Sequence, residues 1–192
     1  MPLNYSREFR IRHYECDAFG HLNNANYVRY MQETAFDASA AAGYGREAYN
    51  QLGCYWLIRE TDIEYLKPAR YGDTLEIKTW VKDFHHVRSR RVYEIRNREN
   101  NETVANASTD WVFLETGKNS PVKIPAEIKE AFFPEGPPVS FPPRDKFPNL
   151  PPEPAEKFSM QISVAWHDLD PVQHVNNANY LLALFTCCTG SR

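Results

Sequence analysis

The sequence predicts an α+β fold in which an antiparallel β-sheet wraps around one long helix. Apolar and small residues recur at three- and four-residue steps over residues 24–42, which is the period of an amphipathic helix. Four stretches rich in Val, Ile, Thr, Tyr or Trp follow with short connections, as is typical of antiparallel strands. With 192 residues, 42% of them hydrophobic, the chain can bury one core but is too short for two full α/β domains.

The elements can be placed in order along the chain. A first strand is expected over residues 5–13, followed by a loop over residues 14–23. The long helix comes next and ends at Gly43, which is suited to a C-cap. A short helix is expected over residues 46–52. The four later strands are expected at residues 55–66, 74–84, 87–98 and 103–116, with turns at 68–73 and 99–102.

Composition excludes several functional classes. The 22 Lys and Arg against 25 Asp and Glu give a net charge of -3, so no global charge favours nucleic acid or an anionic membrane. No stretch approaches the roughly 18 apolar residues of a membrane span, and the charged start lacks the apolar core of a signal peptide. We therefore expect a cytoplasmic protein. Reduced thiols are expected for the four cysteines, which show no CxxC spacing: Cys16, Cys54, Cys187 and Cys188.

Proline content divides the chain into three parts. Eleven of the 14 prolines fall between Pro121 and Pro154, and proline both removes a ladder donor and fixes φ. This segment is interpreted as a semi-rigid linker. The predicted division is a first domain over residues 1–118, a Pro-rich linker over 119–155 and a second segment over 156–192.

The second segment repeats the start of the first. The run DAFGHLNNANY from Asp17 matches DPVQHVNNANY from Asp170 at seven of eleven positions. Alternating Ile162, Val164 and Trp166 predict a strand before the second motif, and about one helical turn is expected after Tyr180. The second repeat is therefore expected to be incomplete, and its tail to be disordered or to add its strand to a sheet edge. The first repeat is then expected to form a homodimer.

The motif YECDAFGHLNNANYVRYMQET, followed by IEYLKPARYGDTLEI, resembles the hotdog-fold thioesterases of the 4-hydroxybenzoyl-CoA and acyl-acyl-carrier-protein types. HDLDPVQHVNNANYL resembles the acyl-carrier-protein enzymes, whose single chains hold two hotdogs. The resemblance implies hydrolysis of an acyl-CoA or acyl-carrier-protein thioester to a free acid and a thiol, within fatty acid metabolism. It implies no cofactor or metal, because water, a carboxylate and a helix N-terminus suffice.

Thioester hydrolysis needs a carboxylate to attack or to activate water, and a donor for the oxyanion. By resemblance, Asp17 is the nucleophile or general base, and the backbone N–H of Asn24 polarises the carbonyl. His21 matches a histidine that is common in the acyl-carrier-protein type. The corresponding residues of the second motif are Asp170, His174 and Asn177.

Each choice has a structural alternative. An Asp before a helix is often an N-cap or turn former, and a lone His is often structural. Asn23 and Asn26 are interpreted as loop and cap residues. Glu33 either faces the site or pairs with Arg29 on the surface. Cys16, without a matched histidine base, is interpreted as a small buried hydrophobe.

The stretch VRSRRV suggests a second feature. Arg88 and Arg90 would share one face of a strand, with Arg91 on the other. Arg88, Ser89 and Arg90 are candidates for binding the phosphate of coenzyme A, or the phosphopantetheine arm and acidic surface of a carrier protein. The alternative is an ordinary solvated strand edge.

Two other functions stay open at this point. One is a non-catalytic acyl-binding or structural half that requires a complete second repeat. The other, a hydratase or dehydratase, is less favoured because the motif does not resemble its His/Asp arrangement. The type of acyl chain and the choice between coenzyme A and carrier protein are not indicated by the sequence.

Overall fold

The described residues of this computed structural model are 1–137, 149, 151–153, 155–156, 159–171 and 173–189. The chain divides into two compact units, Met1–Val139 and Ser140–Arg192. The first unit contains a five-stranded sheet and three helices, and the described part of the second contains one helix.

The sheet confirms the predicted antiparallel class. Its strand order is β1-β3-β4-β5-β2, and every neighbouring pair is antiparallel. β1 is shorter than expected, because the chain leaves the sheet after Arg10 and forms a 3₁₀ turn at His13–Glu15. The strands are β1 Asn4–Arg10, β2 Cys54–Tyr65, β3 Thr74–His85, β4 Arg88–Asn97 and β5 Thr103–Glu115.

The long helix α1 spans Asn24–Ala41 and packs on β1 and β3. Met31, on its buried face, belongs to the same apolar cluster as Ile77 and Ile95 of the sheet. Gly43, at φ 88°, ends the helix in the left-handed conformation that favours glycine. The short helix α2 follows at Arg46–Gln51. The predicted helix and sheet therefore form one core.

A third helix, α3 at Ala126–Phe132, lies in the segment predicted to be linker. Its Ile128 and Phe132 side chains are buried, and Phe132 lies 6.1 Å from Phe84, ring centroid to centroid. The carbonyl of Phe132 also accepts a hydrogen bond from the N–H of Leu3 at 2.9 Å. The predicted linker start at residue 119 is therefore too early, because this apolar helix completes the core of the first unit.

The second unit differs from the prediction in two respects. Residues 159–165 form no strand in the described part of the chain, and Ile162, Val164 and Trp166 are exposed. A strand requires a neighbour to satisfy its backbone, and none of the described residues supplies one. Helix α4 spans Asn177–Thr189 and so continues well beyond one turn after Tyr180. Residues 138–148 of the predicted linker and the final residues 190–192 lie outside the described residues.

Candidate active site

The loop between β1 and α1 holds Asp17 in a tight turn directly before the long helix. Its carboxylate Oδ1 accepts hydrogen bonds from the backbone N–H groups of Phe19 at 2.9 Å and His21 at 3.1 Å. The N–H of Asp17 donates to the carbonyl of His21 at 2.7 Å, and Gly20 supplies the left-handed backbone at φ 74°. One carboxylate oxygen thus holds the loop, while Oδ2 makes no hydrogen bond to the described residues.

The start of α1 presents free backbone donors beside this loop. Asn23 is the N-cap, and its Oδ1 accepts a hydrogen bond from the N–H of Ala25 at 2.9 Å. The N–H of Asn24 has no acceptor among the described residues. Tyr65 donates its hydroxyl to the carbonyl of Asn24 at 3.2 Å, and burial raises the pKa of Tyr65 to about 12. The helix dipole favours negative charge at this end.

A buried carboxylate ties the loop to the helix. Glu15 is 7% exposed, and its Oε2 accepts hydrogen bonds from the N–H of Arg12 at 2.7 Å and the hydroxyl of Tyr30 at 2.6 Å. The carbonyl of Glu15 accepts from the Nδ2 of Asn26 at 2.8 Å and the N–H of Asn23 at 2.9 Å. Burial, together with the Glu15 hydrogen bond, raises the pKa of Tyr30. Sequence reasoning missed Glu15 and Tyr30, because their 15-residue separation shows no periodic signal.

Other candidates near the loop have structural contacts. His21 forms an isolated backbone bridge with Arg70, on the turn before β3. Glu33 pairs with Arg7 at 3.4 Å on the surface. Its predicted alternative partner, Arg29, donates to the Oδ1 of Asn26 at 2.7 Å. Cys16 is a half-buried free thiol.

The second motif forms the same loop 153 residues later. Asp170 Oδ1 accepts from the N–H of His174 at 3.0 Å, and the N–H of Asp170 donates to the carbonyl of His174 at 2.8 Å. Asn176 Oδ1 accepts from the N–H of Ala178 at 3.0 Å, as Asn23 does from Ala25. Asn177, the counterpart of Asn24, begins α4. The duplication seen in the sequence is therefore also a duplication of backbone geometry.

The two loops differ in how they are supported. Gln173, at φ 64°, takes the left-handed position that Gly20 holds in the first loop. Asp168 replaces Glu15, and Ala183 stands where the first repeat has Tyr30. The second loop therefore lacks the buried tyrosine–carboxylate contact.

Strand β4 carries the arginines of the VRSRRV stretch. They alternate between its two faces as predicted, with Arg91 buried on the face opposite Arg88 and Arg90. Ser89 is also buried on that opposite face, so the strand does not bring it together with the two arginines. Arg88 Nη1 lies 3.3 Å from Oδ2 of Asp110, a carboxylate that is 2% exposed. Part of the positive charge on this strand is therefore neutralised from within the sheet.

Basic and aromatic side chains lie on the segments that adjoin the first loop, and sequence reasoning did not single them out. We call this set the rim; it comprises Arg10, Arg12, Tyr14, Arg70 and Tyr71. The turn that carries Arg70 is joined to the loop through the N–H of Leu22, which donates to the carbonyl of Ala69 at 2.8 Å. The only signal in the sequence was the run KPARY beside the turn.

The Asp17 loop lies at the surface: residues 18–20 are exposed, and Asp17, His21 and Asn24 are half-buried. Neither of two described cavities, of about 400 and 340 Å³, is lined by Asp17, His21 or Asn24. Within the described residues, no three His, Cys, Asp or Glu side chains are grouped as metal ligands. None of the described helices has the length and hydropathy to span a bilayer.

Comparisons with known proteins place both parts of the chain in one family. Residues 2–132 match the acyl-ACP thioesterase N-terminal domain, and residues 152–188 match the C-terminal domain. A chloroplastic palmitoyl-acyl carrier protein thioesterase of Cuphea hookeriana is 28% identical over 188 residues, covering 93% of this chain and 45% of that protein. A chloroplastic oleoyl-acyl carrier protein thioesterase 1 of Arabidopsis thaliana is 24% identical over 193 residues, covering 93% and 53%.

Solved structures share the fold. A 12:0-ACP thioesterase from Umbellularia californica superposes with a TM-score of 0.78 at 22% identity, covering 98% of this chain and 76% of that one. An acyl-ACP thioesterase from Bacteroides thetaiotaomicron gives 0.75 at 17% identity, covering 95% and 72%. These similarities establish the hotdog fold. The chain spans about half the length of the curated relatives it matches.

Proposed function

The chain belongs to the acyl-ACP thioesterase family, and from that premise we propose that it hydrolyses an acyl thioester on a carrier protein to a free acid and a thiol. The observation that carries the proposal is the Asp17 loop, which lies directly before the open N-terminus of an 18-residue helix. Relatives named for palmitoyl- and oleoyl-acyl carrier protein support this class of substrate. The proposal includes the organisation into a thioesterase repeat, a Pro-rich linker and a second repeat.

Two routes use the same residues. As a general base, Asp17 takes a proton from water while the water oxygen attacks the thioester carbonyl. As a nucleophile, Asp17 forms a mixed anhydride that water then cleaves. In both routes the C–S bond breaks, the sulfur leaves as a thiolate that then takes a proton, and the acid is released. The N–H of Asn24 donates to the oxyanion, where the helix dipole also favours negative charge.

His21 and the second loop have secondary roles in the proposal. His21 lies in the same loop as Asp17, near the reacting group. Its role is accessory, because a thiolate leaving group needs little acid catalysis. Asp170, His174 and Asn177 form a second loop of the same geometry, which makes it a candidate second site. Arg88 and Arg90 bind phosphate of the substrate in this proposal. Ser89, being buried on the other face, is supported only as a residue that positions the strand.

The proposed assembly is a homodimer. β2 is a 12-residue edge strand that pairs only with β5 among the described residues, so its other edge is available to a second chain. Light scattering at micromolar concentration tests this, and a monomeric active protein contradicts it. A cytoplasmic location stays a prediction, and the plant relatives named above are chloroplastic.

A second candidate is a non-catalytic acyl-binding half. Two observations favour it: Asp17 Oδ1 already accepts two backbone hydrogen bonds, and neither described cavity reaches the loop. In that case Asp17 is a turn former, as aspartates before helices often are.

Release of thiol from a panel of acyl-carrier-protein and acyl-CoA thioesters separates the two candidates. Asp17→Asn is the informative variant, since the amide Oδ1 can still accept the hydrogen bonds from Phe19 and His21. We expect kcat to fall about 100-fold or more while the fold is kept. Asp170→Asn tests the second loop in the same way. Glu99→Gln, an exposed change in the turn between β4 and β5, is the matched control.

Retention of more than about a tenth of wild-type turnover in Asp17→Asn refutes the catalytic assignment. If Asp170→Asn alone abolishes turnover, the chemistry belongs to the second loop. If the wild-type chain binds acyl thioesters and cleaves none, the acyl-binding alternative stands. His21→Ala should cost less than Asp17→Asn, and an equal loss would give His21 a principal role.

A further inference from the structure

Five of the twelve arginines on the first unit are neutralised by nearby carboxylates. The guanidinium groups in question lie within 3.5 Å of a carboxylate oxygen, which cancels much of their charge at the surface. The pairs are Arg7 with Asp37 at 2.7 Å, Arg59 with Glu60 at 3.1 Å, Arg88 with Asp110 at 3.3 Å, Arg96 with Glu94 at 2.6 Å, and Arg98 with Glu8 at 2.8 Å.

The three rim arginines are not among these five. Arg10 and Arg70 form no ion pair with any of the residues that the structure describes, and Arg12 comes no nearer than 3.9 Å to Glu15. All three are exposed. Three exposed guanidinium groups therefore lie on the segments that adjoin the Asp17 loop, although the chain as a whole carries a net charge of -3.

Aromatic rings hold two of these guanidinium groups in place. Arg12 donates to the hydroxyl of Tyr14 at 2.7 Å, and its guanidinium carbon lies 5.9 Å from the centre of that ring. The guanidinium carbon of Arg10 lies 5.7 Å from the ring of Tyr71. Tyr14 is 74% exposed and Tyr71 is 56% exposed, which is unusual for rings with no partner to cover them. Arginines held by rings keep their charge and lose less entropy on binding an anion.

We propose that the rim docks an acidic face of the carrier protein that delivers the acyl thioester to the Asp17 loop; this inference rests on the proposed function. The unneutralised arginines supply charge complementarity, and Tyr14 and Tyr71 supply the exposed aromatic contacts that protein interfaces favour. The rim adjoins the loop through the backbone bridge between His21 and Arg70, so a docked carrier lies next to the site.

A protein surface fits the rim better than the nucleotide of coenzyme A. A nucleotide is normally bound in a concave pocket that covers most of its surface. The five rim residues are all exposed, so the rim is an open surface rather than an enclosed pocket. The rim arginines extend from the end of β1 at Arg10 to the turn at Arg70, which suits an extended acidic surface.

Direct binding tests the proposal without depending on turnover. Fluorescence anisotropy measures the Kd of a labelled acyl carrier protein, with a C16 acyl chain on its phosphopantetheine, for the full chain. We expect Arg10→Glu/Arg70→Glu to raise Kd at least tenfold, with a smaller difference at high salt because screening weakens the wild-type contact. Arg46→Glu is the control, since Arg46 is an exposed arginine on α2, which follows the far end of α1. It should stay within twofold.

A second arm identifies which part of the substrate the rim contacts. KM is measured for the same acyl chain on carrier protein, on coenzyme A and on N-acetylcysteamine. The double variant should raise KM for the carrier-bound substrate alone and leave kcat unchanged. An equal rise in KM for the carrier-protein and coenzyme A substrates would show that the rim binds phosphate, and it would overturn the proposal. A Kd for the labelled carrier protein that is unchanged in the double variant would also overturn the proposal.

The controls keep the two proposals separate. If the wild-type chain binds the carrier through the rim but hydrolyses nothing, the proposed function fails while the docking surface stands. If circular dichroism shows that the double glutamate variant does not fold, Arg10→Ala/Arg70→Ala replaces it. The alanine pair should raise Kd at least threefold, and a smaller change overturns the proposal.

Discussion

Removing the hydroxyl of Tyr30 tests how the candidate site is held. In Tyr30→Phe, the carboxylate of Glu15 loses its hydrogen bond at 2.6 Å, while the ring keeps its stack on Phe9 at 4.3 Å. Hydrogen bonds to charged groups contribute about 1.5–3 kcal/mol, and Glu15 is only 7% exposed, so water does not readily replace the hydroxyl. We therefore expect a loss of about 2 kcal/mol in the free energy of unfolding, or about 4–8 °C in Tm.

Urea and thermal denaturation measure this loss, and Tyr14→Phe is the matched control. Tyr14 is 74% exposed, so removal of its hydroxyl should change the free energy of unfolding by less than about 0.5 kcal/mol. A double-mutant cycle with Glu15→Gln should give a coupling of about 1 kcal/mol or more. Equal losses in Tyr30→Phe and Tyr14→Phe, or a coupling near zero, would refute the anchoring role of Glu15.

Three further predictions concern stability. Met31→Ala should cost about 2–5 kcal/mol in chemical denaturation, because Met31 is 1% exposed in the core; a loss below about 1 kcal/mol would contradict that packing. Burial raises the pKa of Tyr27 to about 12, above the usual value near 10. The contribution of Tyr27 to the free energy of unfolding is therefore present below pH 10 and is lost as the pH rises toward 12. Tyr27→Phe should flatten that fall in stability. A chain ending at Lys118 should have a lower Tm than one ending at residue 137, because only the longer chain keeps the buried Ile128. Equal Tm values would show that α3 is not part of the core and belongs to the linker.

The regular elements of the first unit were predictable because each has a local signal. The observed bounds of α1 and β3 differ from the expected ones by a single residue at one end, since hydrophobic period and turn residues mark them. Helix α3 was missed because the surrounding prolines dominate the composition of its segment. Whether α3 belongs to the core or to the linker is decided by contacts with distant residues, such as that of Phe132 with Phe84, which no local pattern records.

The candidate site was predictable only in part. The motif located Asp17 and the helix N-terminus, because a duplicated sequence at a strand-to-helix junction is a strong signal. The Glu15–Tyr30 contact and the rim depend on side chains brought together by the fold. Likewise, the spacing of Arg88 and Arg90 indicated a shared face. The carboxylate that neutralises Arg88 belongs to Asp110 on the neighbouring strand β5, which the spacing could not indicate.

The most direct test of the central claim is hydrolysis of a C16 acyl-carrier-protein substrate in water enriched in ¹⁸O, with the free acid analysed by mass spectrometry. The account predicts that the wild-type chain and Glu99→Gln release acid carrying ¹⁸O in its carboxyl group, and that Asp17→Asn releases it at least about 100-fold more slowly. Labelled acid formed no faster than in buffer alone, or an Asp17→Asn rate above about a tenth of the wild-type rate, would contradict the account.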